Sequence, residues 1–167
     1  MTGLLRWLFV IPFALLMAAT AGALSLFVAS VVDPTMAALV GHGLQAGLSA
    51  LTESLFAADD PAPVMEAAAT GFGRLAFAVL VLPPLAVGLG SEIARLRQPL
   101  WYAGATGMLT AAVPFLLRGV TARGATAAEL HVSVVLGLAG AAAGLVYWMV
   151  AGRGAGAERR AEPVPTI

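Results

Sequence analysis

From Trp7 to Val32 the chain runs between Arg6 and Asp33 without one ionised side chain. A second blank run separates Arg97 from Arg118. A helix that faces water on one side spaces charge along that side. Uncharged runs of this length therefore mean that the surroundings are hydrocarbon. Composition agrees: 60% of residues are hydrophobic and 11% charged, against about 25% charged in an ordinary soluble domain.

A hydrocarbon core of roughly 30 Å takes about 20 helical residues to cross. Four intervals qualify: 7–32, 72–90, 100–117 and 130–151. The expected fold is an all-α integral membrane protein, with four transmembrane helices in a bundle and one amphipathic interfacial helix between the first and second spans. Residues 1–152 form a single domain. The tail 153–167, with glycines, charges and two prolines, is expected to be disordered in the cytoplasm. Arg6 and Ala21-Gly22-Ala23 imitate a secretory signal, but the uncharged run continues past the usual apolar stretch of about 7–15 residues and reads as a retained anchor.

The interfacial helix is expected over 35–57. Met36, Leu39, Val40, Leu44, Leu48, Leu51 and Leu55 recur every three or four residues, with His42, Gln45, Ser49, Thr52 and Glu53 elsewhere on the wheel. It reads as lying on the outer leaflet or over the bundle. Asp33-Pro34 reads as the stop of the first helix, and Asp59-Asp60-Pro61-Ala62-Pro63 as a turn.

Orientation follows from arginine. With both termini cytoplasmic, Arg6, Arg95, Arg97, Arg153, Arg159 and Arg160 lie inside and Arg74, Arg118 and Arg123 outside, as the positive-inside rule requires. Trp7, Trp101, Trp148, Tyr102 and Tyr147 fall at the same cytoplasmic ends, where amphipathic rings settle among headgroups. The abundance of Ala, Gly and Arg suggests a GC-rich bacterium, and the location expected is the bacterial inner membrane.

Pro83 and Pro84 interrupt the second span. In a helix they cannot donate to the carbonyls of Val79 and Leu80, and an unpaired group at the midplane costs several kcal/mol. Two readings follow. Hydroxyls of neighbouring spans (Thr106, Thr110, Thr20, Ser25, Ser133) serve those carbonyls in a kinked helix, or the break lines a polar site for a solute or ion. The first has the simpler requirements, because no carboxylate lies at midplane depth.

Other residues divide in the same way. Arg74 either snorkels to outer headgroups or pairs with Glu66 or Glu129. Thr126-Ala127-Ala128-Glu129 fits a capping box that opens the fourth span. Gly137, Gly140, Ala141 and Gly144 form a small-residue face, as do Ala103, Gly104 and Gly107, suited to close helix approach. His42 and His131 are candidate axial ligands of a b-type haem, a reading weaker than that of interfacial histidines.

Much chemistry is excluded. Without cysteine there is no disulfide or thiolate metal site, and without lysine no Schiff base or P-loop. No serine sits in a nucleophile elbow and no HExxH is present. Zero net charge gives no reason to expect nucleic acid. The expected function is non-enzymatic and needs no cofactor. It is that of a membrane protein acting by association, as a homo-oligomer, an accessory or assembly subunit, or a self-associating module. A small transporter or channel using the Pro83-Pro84 break is the alternative.

Overall fold

The structure, a computed structural model, describes residues 6–94, 96–118 and 126–152. The tail 153–167 with Arg153, Arg159 and Arg160 lies outside the described residues, as do Arg95, Arg123 and the side chains of Arg6, Trp7 and Arg118. The described residues are helical almost throughout, with no strand among them. Helix α1 comprises a wide turn, Arg6–Val10, running into Ile11–Val32. Helix α2 is Pro34–Ala57, α3 is Pro61–Ala94, α4 is Pro99–Arg118 and α5 is Ala127–Gly152.

Three of these are long and apolar enough to cross a membrane: Leu8–Val32, Pro61–Ala94 and Ala127–Gly152. Helix α4, with 20 residues, carries Trp101, Tyr102, Thr106 and Thr110 among its apolar positions and is not one of the three.

Burial is the reverse of a water-soluble bundle. The core is built from Ala14, Ala18, Ala139, Ala143 and Ala151, with Tyr102, Tyr147 and Val87 at one end. Phe9, Phe13, Leu16, Leu24, Phe27 and Val31 point outward along α1, each more than half exposed. Small residues inside and large apolar ones outside suit a surrounding of lipid, where packing rather than water exclusion brings helices together.

Helix α5 is the centre. It packs most extensively on α4, then on α1, and touches the second half of α3. Tyr102 stacks on Tyr147 at 5.9 Å between ring centres, and at the far end of the same pair Ser133 Oγ donates to the Ala111 carbonyl at 2.5 Å. The two helices are therefore antiparallel. The aromatic end is tied further by Trp101 Nε1 donating to Ser91 Oγ (3.1 Å), by Ser91 Oγ donating to the Val87 carbonyl (2.6 Å), and by Trp148 Nε1 donating to the Arg97 carbonyl (2.9 Å). Trp101, Tyr102, Tyr147 and Trp148 thus gather at one end of the bundle.

The second apolar segment differs from its expected bounds. Instead of 72–90, helix α3 starts at Pro61 and runs for 34 residues. The Asp-Pro pairs are helix starts: Asp33 accepts from the Thr35 and Met36 amides, Asp60 accepts from the Ala62 amide, and a proline follows each at the first helical position. Proline suits that position because its missing N–H would have no helical partner there. At 1.5 Å per residue α3 is about 51 Å long, roughly 20 Å more than a hydrocarbon core.

Helices α2 and the first half of α3 (Pro61–Ala76) consequently form a hairpin beside the bundle, joined through Ala58, Asp59 and Asp60. The arms meet near the turn, where Gly47, Ala50, Leu51 and Ser54 face Pro63, Val64, Ala67 and Ala68 across a groove. Met36 is the one buried residue of α2, and Pro61–Ala76 has none.

Candidate functional site

The candidate site is the centre of the bundle around Pro83 and Pro84. Both prolines are buried, yet they do not break the helix. Directly before them Phe77–Val81 forms a wide turn in which the Leu82 amide donates to the Phe77 carbonyl, five residues back. The extra residue in that turn shifts the carbonyls that the proline rings would otherwise strike. The wide turn at Arg6–Val10 ends two residues before Pro12, the same spacing as Val81 to Pro83. One local device thus absorbs both interruptions, whereas Pro114 sits inside α4 without it.

The expectation that neighbouring hydroxyls serve the Val79 and Leu80 carbonyls is not met. Thr110 Oγ1 donates to the Thr106 carbonyl at 2.8 Å, Thr20 to Leu16 at 2.8 Å, and Ser25 to Ala21 at 2.8 Å, all within their own helices. Ser133 serves Ala111 on α4. Thr106 is 0% exposed and its Oγ1 has no hydrogen-bond partner among the described residues. It lies against Gly144, where a Cβ would sit 2.8 Å from it.

Helices α1, α3, α4 and α5 converge on a small cavity beside this turn. It holds about 10 Å³ and is lined by Gly22 and Leu26 of α1, Val79, Leu80 and Pro84 of α3, Thr110 of α4, and Ala139, Gly140 and Ala143 of α5. That volume is about the room that one water molecule needs.

The glycines expected to act as one class separate into two. Gly107, Gly137, Gly140 and Gly144 line the α4–α5 crossing within the chain. A Cβ on Gly140 would overlap Thr110 Oγ1, on Gly144 the Tyr102 carbonyl, and on Gly107 it would come 2.8 Å from the Gly137 carbonyl. Gly104 has nothing within 4 Å of such a Cβ. Sequence reasoning missed Gly88, on which the Tyr147 ring rests, with the phenol oxygen 2.6 Å from where a Cβ would be.

The remaining candidates lie away from this centre. Arg74 is exposed on α3 and makes no ion pair with Glu66 or Glu129 among the described residues. Glu129 completes the capping box: its carboxylate accepts from the Thr126 amide at 2.7 Å, while Thr126 Oγ1 accepts from the Glu129 amide at 3.3 Å. His131 Nε2 bonds Asp33 Oδ2 at 2.5 Å, clasping the start of α5 to the joint between α1 and α2. His42 stands exposed on α2. For the haem ligation considered for this pair, the bond to Asp33 leaves His131 only its Nδ1. Asp33, which also caps α2, is held below the usual carboxylate range by its bond from the Met36 amide and then by His131. No group of three or more His, Cys, Asp and Glu side chains that could hold a metal ion occurs among the described residues.

No family model, curated protein or solved structure matches the chain.

Proposed function

We propose that this is a non-enzymatic, four-span protein of the bacterial inner membrane, with both termini cytoplasmic, that acts by association with another membrane protein as an accessory or assembly subunit. Helix α4 is the third of the four spans in this reading. Its antiparallel packing along α5 and its short connection to α3 support an alternation of up and down helices. The excess length of α3 then carries the hairpin past the outer headgroups.

The observation that carries the proposal is the hairpin surface. Leu39, Leu44, Leu48, Phe56, Met65, Phe72 and Leu75 are each about half exposed or more, Phe56 reaching 87% and Phe72 76%. Gly41, Gly43, Gly47, Gly71 and Gly73 have open space where a side chain would be. Glycine inside a helix costs about 1 kcal/mol relative to alanine. Lipid tails gain nothing from it, whereas a closely approaching helix does. At the α4–α5 crossing Gly107, Gly137, Gly140 and Gly144 are used in this way, whereas the hairpin glycines meet no neighbouring atom, Gly47 lining the open groove between the arms.

The transporter reading has less support. The space beside Pro83 and Pro84 fits a single water-sized molecule and is lined by no carboxylate. Native mass spectrometry of the protein purified from its host in mild detergent tests the proposal. A defined complex or oligomer is expected, and cysteines placed at Gly47 and Gly71, in a chain with none of its own, should cross-link to the partner. A monomer that cross-links to nothing in native membranes would refute it.

A further inference from the structure

We infer that the cavity beside the proline turn is a binding site for one structural water molecule, which bridges the Val79 carbonyl of α3 to Thr110 of α4.

The argument begins with the covalent chain. The helical donors available to a carbonyl at position 79 are the amides at 83 in an ordinary turn and at 84 in a wide one. Both positions are proline, so α3 can satisfy Val79 in neither register. The nearer Leu82 amide is committed to Phe77. Leu80 is better placed, since Leu85 follows one residue beyond Pro84. Carbonyls point along a helix toward its C-terminus, so the Val79 oxygen is directed at the two proline rings, and Val79 and Pro84 line the same cavity.

What else faces that space decides the ligand. Thr110 is buried at 3% exposure, and its proton is already given to the Thr106 carbonyl. Its oxygen can therefore only accept. Gly22, Leu26, Ala139, Gly140 and Ala143 supply no side-chain donor. The polar groups are thus acceptors, and the occupant must bring protons or positive charge. A cation would be stripped of water with no carboxylate beside it, a penalty of several kcal/mol even after relaxation. Neutral water has two protons to donate, needs about the 10 Å³ present, and commonly occupies such buried polar spaces. The hydroxyls of Thr20, Ser25, Thr110 and Ser133 are committed to other carbonyls, so the bridge completes a ladder that the sequence leaves open. The inference is independent of any partner of the hairpin.

Water-edited carbon-13 solid-state NMR of the full chain in lipid bilayers tests it, with the protons of the sample's own water as probe. Early magnetisation transfer to the Val79 carbonyl carbon and the Thr110 Cβ is expected, while the methyls of Ala14 and Ala18, equally buried but not lining the cavity, receive little. Pro83→Ala returns an amide donor to Val79 and should abolish the transfer to its carbonyl. Thr110→Val should reduce it several-fold, while Thr110→Ser, which keeps the oxygen, should preserve it. No transfer in the unaltered protein would overturn the inference, as would transfer that is the same in Pro83→Ala and Thr110→Val. A Val79 carbonyl shift that moves when sodium is replaced by choline would identify the occupant as an ion and equally overturn it.

Discussion

Replacing Gly144 by alanine should destabilise the bundle, and the same change at Gly104 should not. The two residues belong to facing small-residue stripes on α5 and α4. At Gly144 the added carbon would overlap the Tyr102 carbonyl and lie 2.8 Å from Thr106 Oγ1, where an unstrained contact is about 3.5 Å. The obstacle is backbone, which no rotamer change can move aside, so the helices must part by on the order of 1 Å. Overpacking of that kind costs about 1–3 kcal/mol, and the strain here belongs at the upper end. Alanine recovers about 1 kcal/mol of helix propensity at either site. The net expectation is a loss of about 2 kcal/mol for Gly144→Ala and a gain of up to about 1 kcal/mol for Gly104→Ala. Reversible unfolding in mixed micelles, followed by far-ultraviolet circular dichroism, compares them directly. If Gly144→Ala proved as stable as Gly104→Ala, the close α4–α5 crossing would be wrong.

Other expectations concern single polar contacts. Asp33 has a lowered folded-state pKa, so its capping and clasping contribution is fully present above the ordinary carboxylate value of about 3.9 and is lost as pH falls through the folded value. Amide exchange at Thr35 and Met36 should accelerate below that point, and Asp33→Asn should flatten the acid dependence; unchanged exchange on acidification would contradict the contact. Ser91→Ala removes the acceptor of the Trp101 indole and should cost about 0.5–1.5 kcal/mol, with a shifted Trp101 emission as the local readout. Gly88→Ala drives a methyl into the Tyr147 ring and should disturb its stacking on Tyr102, measurable as a change in near-ultraviolet circular dichroism.

The helical character of the chain, its preference for lipid and the positions of its aromatic residues depend on composition and on local order along the chain, and one-dimensional information is enough for them. The capping box at Thr126 and Glu129 is equally local. The Asp-Pro pairs, which read in sequence as a stop and a turn, are each a cap followed by proline, and the second opens α3 at Pro61. The rest required three dimensions. Whether Gly104 or Gly144 touches a neighbour depends on which sides of α4 and α5 face each other, and whether a threonine serves a foreign carbonyl depends on reach. The prolines at 83 and 84 dictated that a carbonyl would go without its helical donor. Only the packing of helices determined that Thr20, Ser25, Thr110 and Ser133 would serve other carbonyls and that a water-sized space would stand beside it.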